Sequence, residues 1–250
     1  MSKFYRFIKK GGGWLFKLLY RFKVVNPENE PDATPYIVCA NHTHLFDVVP
    51  TVVLLKPQIH FMAKKEVFKT PILAPFAKAM GAYSVDRGAG DIAAIKKTIE
   101  ILNSGECICM FPQGTRIPYL DPREVEPKDG VGMIAARAKV GVLPVCIRTK
   151  KNKLSLFRKT EFVIGELLTP EMLEFPELSG KEKYKAISNL VYEKICDMND
   201  QIERKPLSEK KRAKALRRLE KKEQKRLLKL EKKKLKLEKK KAKLERSKND

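Results

Sequence analysis

The stretch Tyr36-Ile37-Val38-Cys39-Ala40-Asn41-His42-Thr43-His44-Leu45-Phe46-Asp47 passes from an apolar run into a polar loop and then to the start of a helix. The run Tyr36–Ala40 predicts a short buried strand. His42 then falls just past the C-terminal end of that strand, and Asp47 opens a helix predicted over Asp47–Leu55. In α/β proteins this end of the strands is where ligands bind. A His with a carboxylate five positions further on is the minimum equipment for drawing a proton from a hydroxyl.

Outward from this stretch the alternation repeats. Further strands are predicted over Ile59–Ala63, Ala82–Val85, Cys107–Phe111, Leu143–Ile147 and Glu161–Gly165. Helices are predicted over Ile72–Met80, Asp91–Asn103, Val131–Val140 and Gly180–Arg204. Such alternation predicts a single α/β domain over residues 26–204, with a largely parallel or mixed central sheet flanked by helices. Pro144, inside Val142-Leu143-Pro144-Val145, belongs at the start or edge of a strand, because it has no N–H for a ladder.

The two ends differ from this body. Residues 1–25 hold an amphipathic pattern, Phe4 to Phe22. Phe4, Phe7, Ile8, Trp14, Leu15, Leu18, Leu19 and Phe22 share one face, and Lys3, Arg6, Lys9, Lys10, Lys17 and Arg21 fill the other. This is the pattern of a helix lying in a membrane interface. Gly11-Gly12-Gly13 weakens its middle by about 1 kcal/mol per Gly, so a kink or two short helices is expected. Residues 205–250 form a Lys/Glu-rich tail, helical or disordered. From Glu203 onward there are 23 Lys+Arg against 8 Asp+Glu, which supplies most of the net charge of +23. Leu216, Leu230, Leu237 and Leu244 fall on a seven-residue grid that Glu223 interrupts. The complementary position reads Leu219, Arg226, Lys233, Lys240, and that cationic seam argues against a coiled coil. A solvated helix is expected instead.

The charge calls for an anionic partner: phosphate groups, a membrane surface or nucleic acid. The tail has no aromatic residue on which bases could stack, which argues against nucleic acid. No apolar run reaches the roughly 18 residues of a spanning helix. The N-terminus has neither the continuous apolar core nor the small-residue cleavage site of a secretory signal. The five cysteines, Cys39, Cys107, Cys109, Cys146 and Cys196, form no CxxC pair and read as small buried hydrophobes in a reducing cytoplasm. His42, His44 and Asp47 have a spacing that a metal could use, but His60 is the only other His and sits in a predicted strand, so no metal site is assigned.

Three cations follow strand ends or helix starts. Arg87 ends Gly81-Ala82-Tyr83-Ser84-Val85-Asp86-Arg87, Arg116 ends Phe111-Pro112-Gln113-Gly114-Thr115-Arg116, and Lys128 precedes the helix at Val131. Converging on one edge, they would suit a phosphate monoester.

Together these blocks resemble, in order and spacing, the glycerolipid acyltransferase family, and within it the 1-acylglycerol-3-phosphate acyltransferases. Asn41–Asp47 is similar to the family's NHxxxxD block and Gly81–Arg87 to its Gly/Asp-Arg block. Phe111–Arg116 is similar to its FPEGTR block and Val142–Val145 to its Val-Pro block. The resemblance covers roughly Tyr36 to Gly165. It implies that His42 is the general base for the glycerol 2-hydroxyl and that Asp47 holds the other ring nitrogen. It also implies direct attack on an acyl thioester, without an acyl-enzyme. Arg87 and Arg116 would hold the acceptor's phosphate with help from Lys128, while Gln113, Gly114 and Thr115 shape the pocket. No cofactor is implied; acyl-CoA or acyl carrier protein delivers the acyl group as co-substrate. The implied partners are a lysophospholipid and that thioester, and the amphipathic N-terminus and basic tail add an anionic membrane surface, with the enzyme peripheral or monotopic on the cytoplasmic face of the cell membrane. The alternatives are another acceptor, such as glycerol 3-phosphate or a different lysophospholipid, or a lipid- or nucleic-acid-binding protein without turnover.

Two residues depart from the family pattern. Gln113 stands where the family carries Glu, which removes a negative charge beside the arginines while leaving an amide able to bond a glycerol hydroxyl. His44 stands where a small polar residue is usual.

Overall fold

The computed structural model describes residues 3–71, 73–85, 92–204 and 208–249. Among them, seven strands form one sheet in the order β1-β7-β6-β2-β5-β3-β4. The strands are β1 Phe22–Val25, β2 Ile37–Ala40, β3 Ile59–Lys64, β4 Ala82–Val85, β5 Cys107–Met110, β6 Val142–Arg148 and β7 Thr160–Ile164. β6, β2, β5, β3 and β4 run parallel to one another. β7 pairs antiparallel with β6, and β1 pairs parallel with β7. The α/β expectation therefore holds, with a mixed rather than wholly parallel sheet.

The central strands are largely apolar because the sheet is covered on both faces. β2, β5 and β6 are buried at every position. One face packs the apolar sides of α5 (Ile92–Asn103), α6 (Gly130–Ala138) and α7 (Gly180–Asp200), through Leu102, Ile134, Ile187, Val191 and Ile195. The opposite face packs Tyr5, Val52 and Leu55 against Val38, Ile59, Cys109 and Phe162. All five cysteines are buried and unpaired.

The N-terminal helix belongs to this second layer. It runs as α1 (Lys3–Phe7), a π-helical stretch Ile8–Gly12 and α2 (Gly13–Tyr20). The glycines widen the helix into a π turn rather than break it. Tyr5 is fully buried, and its hydroxyl accepts the Ile59 N–H at 2.9 Å. Gly13 lies so close to α3 (Val48–Leu54) that a Cβ there would sit 2.6 Å from Val53 Cγ1. The buried side is thus Tyr5, Gly13 and Tyr20, while Phe4, Phe7, Trp14, Leu15 and Leu18 stay exposed.

Two sequence expectations need correction. The predicted helix over Phe4–Phe22 ends at Tyr20, where Arg21 takes a left-handed conformation and the chain turns into the unforeseen strand β1. Pro144 lies inside β6, a central strand. Its carbonyl accepts from the Gly165 N–H, so its missing N–H faces that same side, one residue beyond the rung Val145–Ile164 where the β6–β7 ladder begins.

α4 (Leu73–Ala79) and α8 (Glu209–Asn249) complete the helices. No helix of the described residues is long and apolar enough to cross a membrane.

Candidate active site

Because β2, β5, β3, β4 and β6 are parallel, their C-terminal ends share one edge, and the loops carrying the motifs all leave from it. β2 and β5 are neighbours, with Cys39 opposite Met110. The loop after β2 therefore meets the Phe111–Arg116 loop directly.

The first loop is held by its own polar groups. Asn41, buried, donates to the Ile147 carbonyl at 3.1 Å and accepts the Ile147 N–H at 2.7 Å. It extends the β2–β6 ladder by one rung made from a side chain. Asp47 is wholly buried, and its Oδ2 accepts from Thr43 N–H at 2.5 Å, His44 N–H at 2.6 Å and His42 Nδ1 at 3.0 Å. His44 accepts the Phe46 N–H on its own Nδ1, closing a capping box over the short helical turn Leu45–Asp47. Burial, opposed by the Asp47 charge but reinforced by Lys153 and Arg116, holds His44 below the usual histidine range. A neutral ring is what that cap requires.

His42 is fixed on three sides. Its N–H donates to Gln113 Oε1 at 2.7 Å, its carbonyl accepts from Ile117 N–H at 2.9 Å, and its ring stacks on Phe111 at 4.1 Å between centroids. The side chain keeps 15% of its surface accessible. With Nδ1 donating to Asp47, Nε2 becomes the basic nitrogen. A buried carboxylate thus sets the tautomer and orientation of the ring, the arrangement that proton abstraction requires.

The second loop turns at Gly114, which has φ +65° and donates its N–H to the Phe111 carbonyl. The stem of Lys128 passes over Gly114, 3.4 Å from where a Cβ would lie, and the Lys128 N–H bonds the Pro112 carbonyl. Thr115 is half-buried and Arg116 exposed on this edge. Gln113 lies elsewhere than expected. It is 1% exposed and spends its amide on the protein, accepting from His42 and donating from Nε2 to the Tyr192 hydroxyl at 3.0 Å. Both ends of its amide thus tie the His42 loop to α7. Arg87 lies outside the described residues; β4, which ends two positions before it, delivers the chain to the same edge.

The sequence reading overlooked several contributors. Lys64 ends β3 on this edge, and Lys153 follows β6. The Tyr192 hydroxyl on α7 donates to the Pro122 carbonyl at 2.8 Å and accepts from Gln113, and so joins α7 to the Gln113–His42 pair. Helical periodicity marks Tyr192 only as a core residue. Its bond to Gln113, 79 positions away, leaves no local signal.

Parallel strands, a His–Asp pair at their C-terminal edge and a cation-bearing glycine turn beside it make a candidate active site where α/β enzymes bind their ligands. The family model described as Acyltransferase matches residues 21–148, about half the chain, and this protein belongs to that family. The match runs from β1 to β6 and leaves α8 outside. The 1-acyl-sn-glycerol-3-phosphate acyltransferase of Bacillus subtilis (strain 168) is 31% identical over 184 residues, which cover 72% of this chain and 89% of that protein. The Escherichia coli (strain K12) enzyme of the same name is 26% identical over 186 residues, 68% of this chain and 72% of its own. Among solved structures, the 1-acyl-sn-glycerophosphate (LPA) acyltransferase PlsC from Thermotoga maritima superposes with a TM-score of 0.58 at 25% identity, covering 81% of this chain and 80% of that one.

Proposed function

We propose that this enzyme moves a fatty acyl group from an acyl thioester to the 2-hydroxyl of 1-acylglycerol 3-phosphate, giving phosphatidic acid. The observation that carries the reading is the His42 Nδ1–Asp47 Oδ2 pair at 3.0 Å, on the edge that also bears Arg116 and Lys128. His42 Nε2 takes the hydroxyl proton as the oxygen attacks the thioester carbonyl. The C–S bond then breaks, and His42 returns the proton to the departing thiolate. Asp47 steadies the imidazolium between these steps. No acyl-enzyme forms. Positioned base catalysis of this kind contributes roughly 10²–10⁴-fold. Arg116 and Lys128, with Arg87, hold the phosphate, and coenzyme A or acyl carrier protein carries the acyl group.

The enzyme works as a peripheral protein on the cytoplasmic face of the membrane. The exposed apolar side chains support this: Phe4, Phe7, Trp14, Leu15 and Leu18 on the N-terminal helix, together with Leu45 and Phe46 from the loop between His42 and Asp47. Phe16 of α2 contacts Phe46 at 6.0 Å, so helix and catalytic loop present one surface. The basic tail adds attraction to anionic lipid of about 1 kcal/mol per Lys or Arg near the surface.

Purified protein in mixed micelles is expected to form phosphatidate from lysophosphatidate and an acyl thioester. Absence of product with either donor overturns the reading, and product with glycerol 3-phosphate alone reassigns the acceptor. His42→Ala is expected to lose at least roughly 10²-fold in kcat with an unchanged circular dichroism spectrum; retained turnover removes the base assignment.

A further inference from the structure

Outside the family match, α8 returns across the catalytic edge instead of leaving into solvent. Arg212 on it pairs with Glu124 at 2.8 Å, and Leu216, Leu219 and Glu223 turn half-buried sides inward. One turn on, Lys222 reaches the Phe111–Arg116 loop and its neighbour Glu223 reaches Lys128. Lys222 Nζ donates to the Arg116 carbonyl at 2.8 Å. Glu223 Oε1 lies 3.3 Å from Lys128 Nζ. The bond to Arg116 uses one of the three N–H groups of the Lys222 ammonium and leaves two for an anion.

The charges around Lys222 are mostly of its own sign. Burial, and then the charges of Arg116, Lys64 and Arg218, hold it below the usual lysine range. Like charges gathered on one edge are stabilised when an anion binds among them, and a phosphate monoester brings about two negative charges to such a place. Glu223 acts in the opposite sense. Its carboxylate already occupies Lys128, so an incoming phosphate must compete with it.

We propose that α8 is part of the acceptor-phosphate site, with Lys222 binding the phosphate and Glu223 holding Lys128 in its place until the phosphate arrives. This rests on the acyltransferase reading above and adds to it a pair of residues with opposed effects on affinity. Glu223 is also the residue that interrupts the leucine grid, which gives the interruption a purpose.

The test uses the full-length chain in micelles of uncharged detergent with dilute lysophosphatidate, where general attraction of the tail to anionic lipid is kept low. Lys222→Gln is expected to raise KM for lysophosphatidate about two- to fivefold, the range for loss of a partly exposed charged contact, with kcat unchanged. Glu223→Gln is expected to lower KM by a similar factor. Lys225→Gln, the same charge change at an exposed position, reads the general effect of tail charge. The proposal is overturned if Lys222→Gln leaves KM unchanged or lowers it, if Glu223→Gln raises it, or if Lys225→Gln matches Lys222→Gln. Complete absence of acyl transfer in the unaltered chain is a failure of the acyltransferase reading instead.

Discussion

Gln113 shows how one atom's bonding fixes a residue type. The single proton of the Tyr192 hydroxyl goes to the Pro122 carbonyl, so toward Gln113 that oxygen can only accept. An amide N–H answers it; a carboxylate would set oxygen against oxygen and bury a charge. The Gln that departs from the family's Glu is therefore matched to this chain's Tyr192, and its task is to hold the His42 backbone. Gln113→Glu is expected to cost about 1–3 kcal/mol of stability and to lower kcat while KM for the acceptor stays level. A several-fold rise in KM with kcat intact would place Gln113 against the acceptor instead. The sequence singled out position 113 but left its direction open, because residue type alone does not tell which side of a tight turn a side chain takes. His42 and Asp47 were legible because spacing and chemistry coincide at a strand end.

Among the elements, every strand from Tyr36 onward was readable as an apolar run between loop signals. β1 was hidden because Phe22-Lys23-Val24-Val25 follows an amphipathic pattern without a Gly or Pro, and Arg21 makes the left-handed turn that Gly usually makes. The side of the N-terminal helix that meets the core left little signal in the sequence. Hydrophobicity picks out Trp14, Leu15 and Leu18, whereas the core is met by Gly13, which has no side chain to advertise it. Any side chain at position 13 would press on Val53. Gly13→Ala is expected to destabilise the protein in urea titrations, although Ala favours helix by about 1 kcal/mol. With Val53→Ala in the same chain the sign should reverse and the propensity gain emerge. A stabilising Gly13→Ala in the unaltered background would show that the helix does not press on α3. The tail was read as solvated because its composition is; docking by a few ion pairs does not alter periodicity.

Across the whole molecule, the largely apolar core also holds ionisable side chains that burial keeps neutral. Burial raises Tyr5 and Tyr83 to about 12 and Cys107 to about 11, and raises Tyr36 and Tyr192 further still. Each is thus neutral in the fold at pH values where the unfolded chain loses its proton. The stability they contribute is complete below the ordinary cysteine and tyrosine values of 9.0 and 10.0 and is lost as pH climbs from there toward about 12. Urea midpoints should stay level up to about pH 9 and fall steeply above it; a level midpoint at pH 11 would contradict the burial. The antiparallel pair β7 and β1 has a different outcome. It reverses the chain so that α2 ends on the catalytic edge, next to Phe46, with its outer apolar stripe turned to the surroundings. An enzyme that docks through that stripe searches for acceptor in two dimensions. Its rate should then follow the mole fraction of lysophosphatidate in the surface: adding inert detergent at fixed total substrate slows the reaction, and enlarging the volume of water does not.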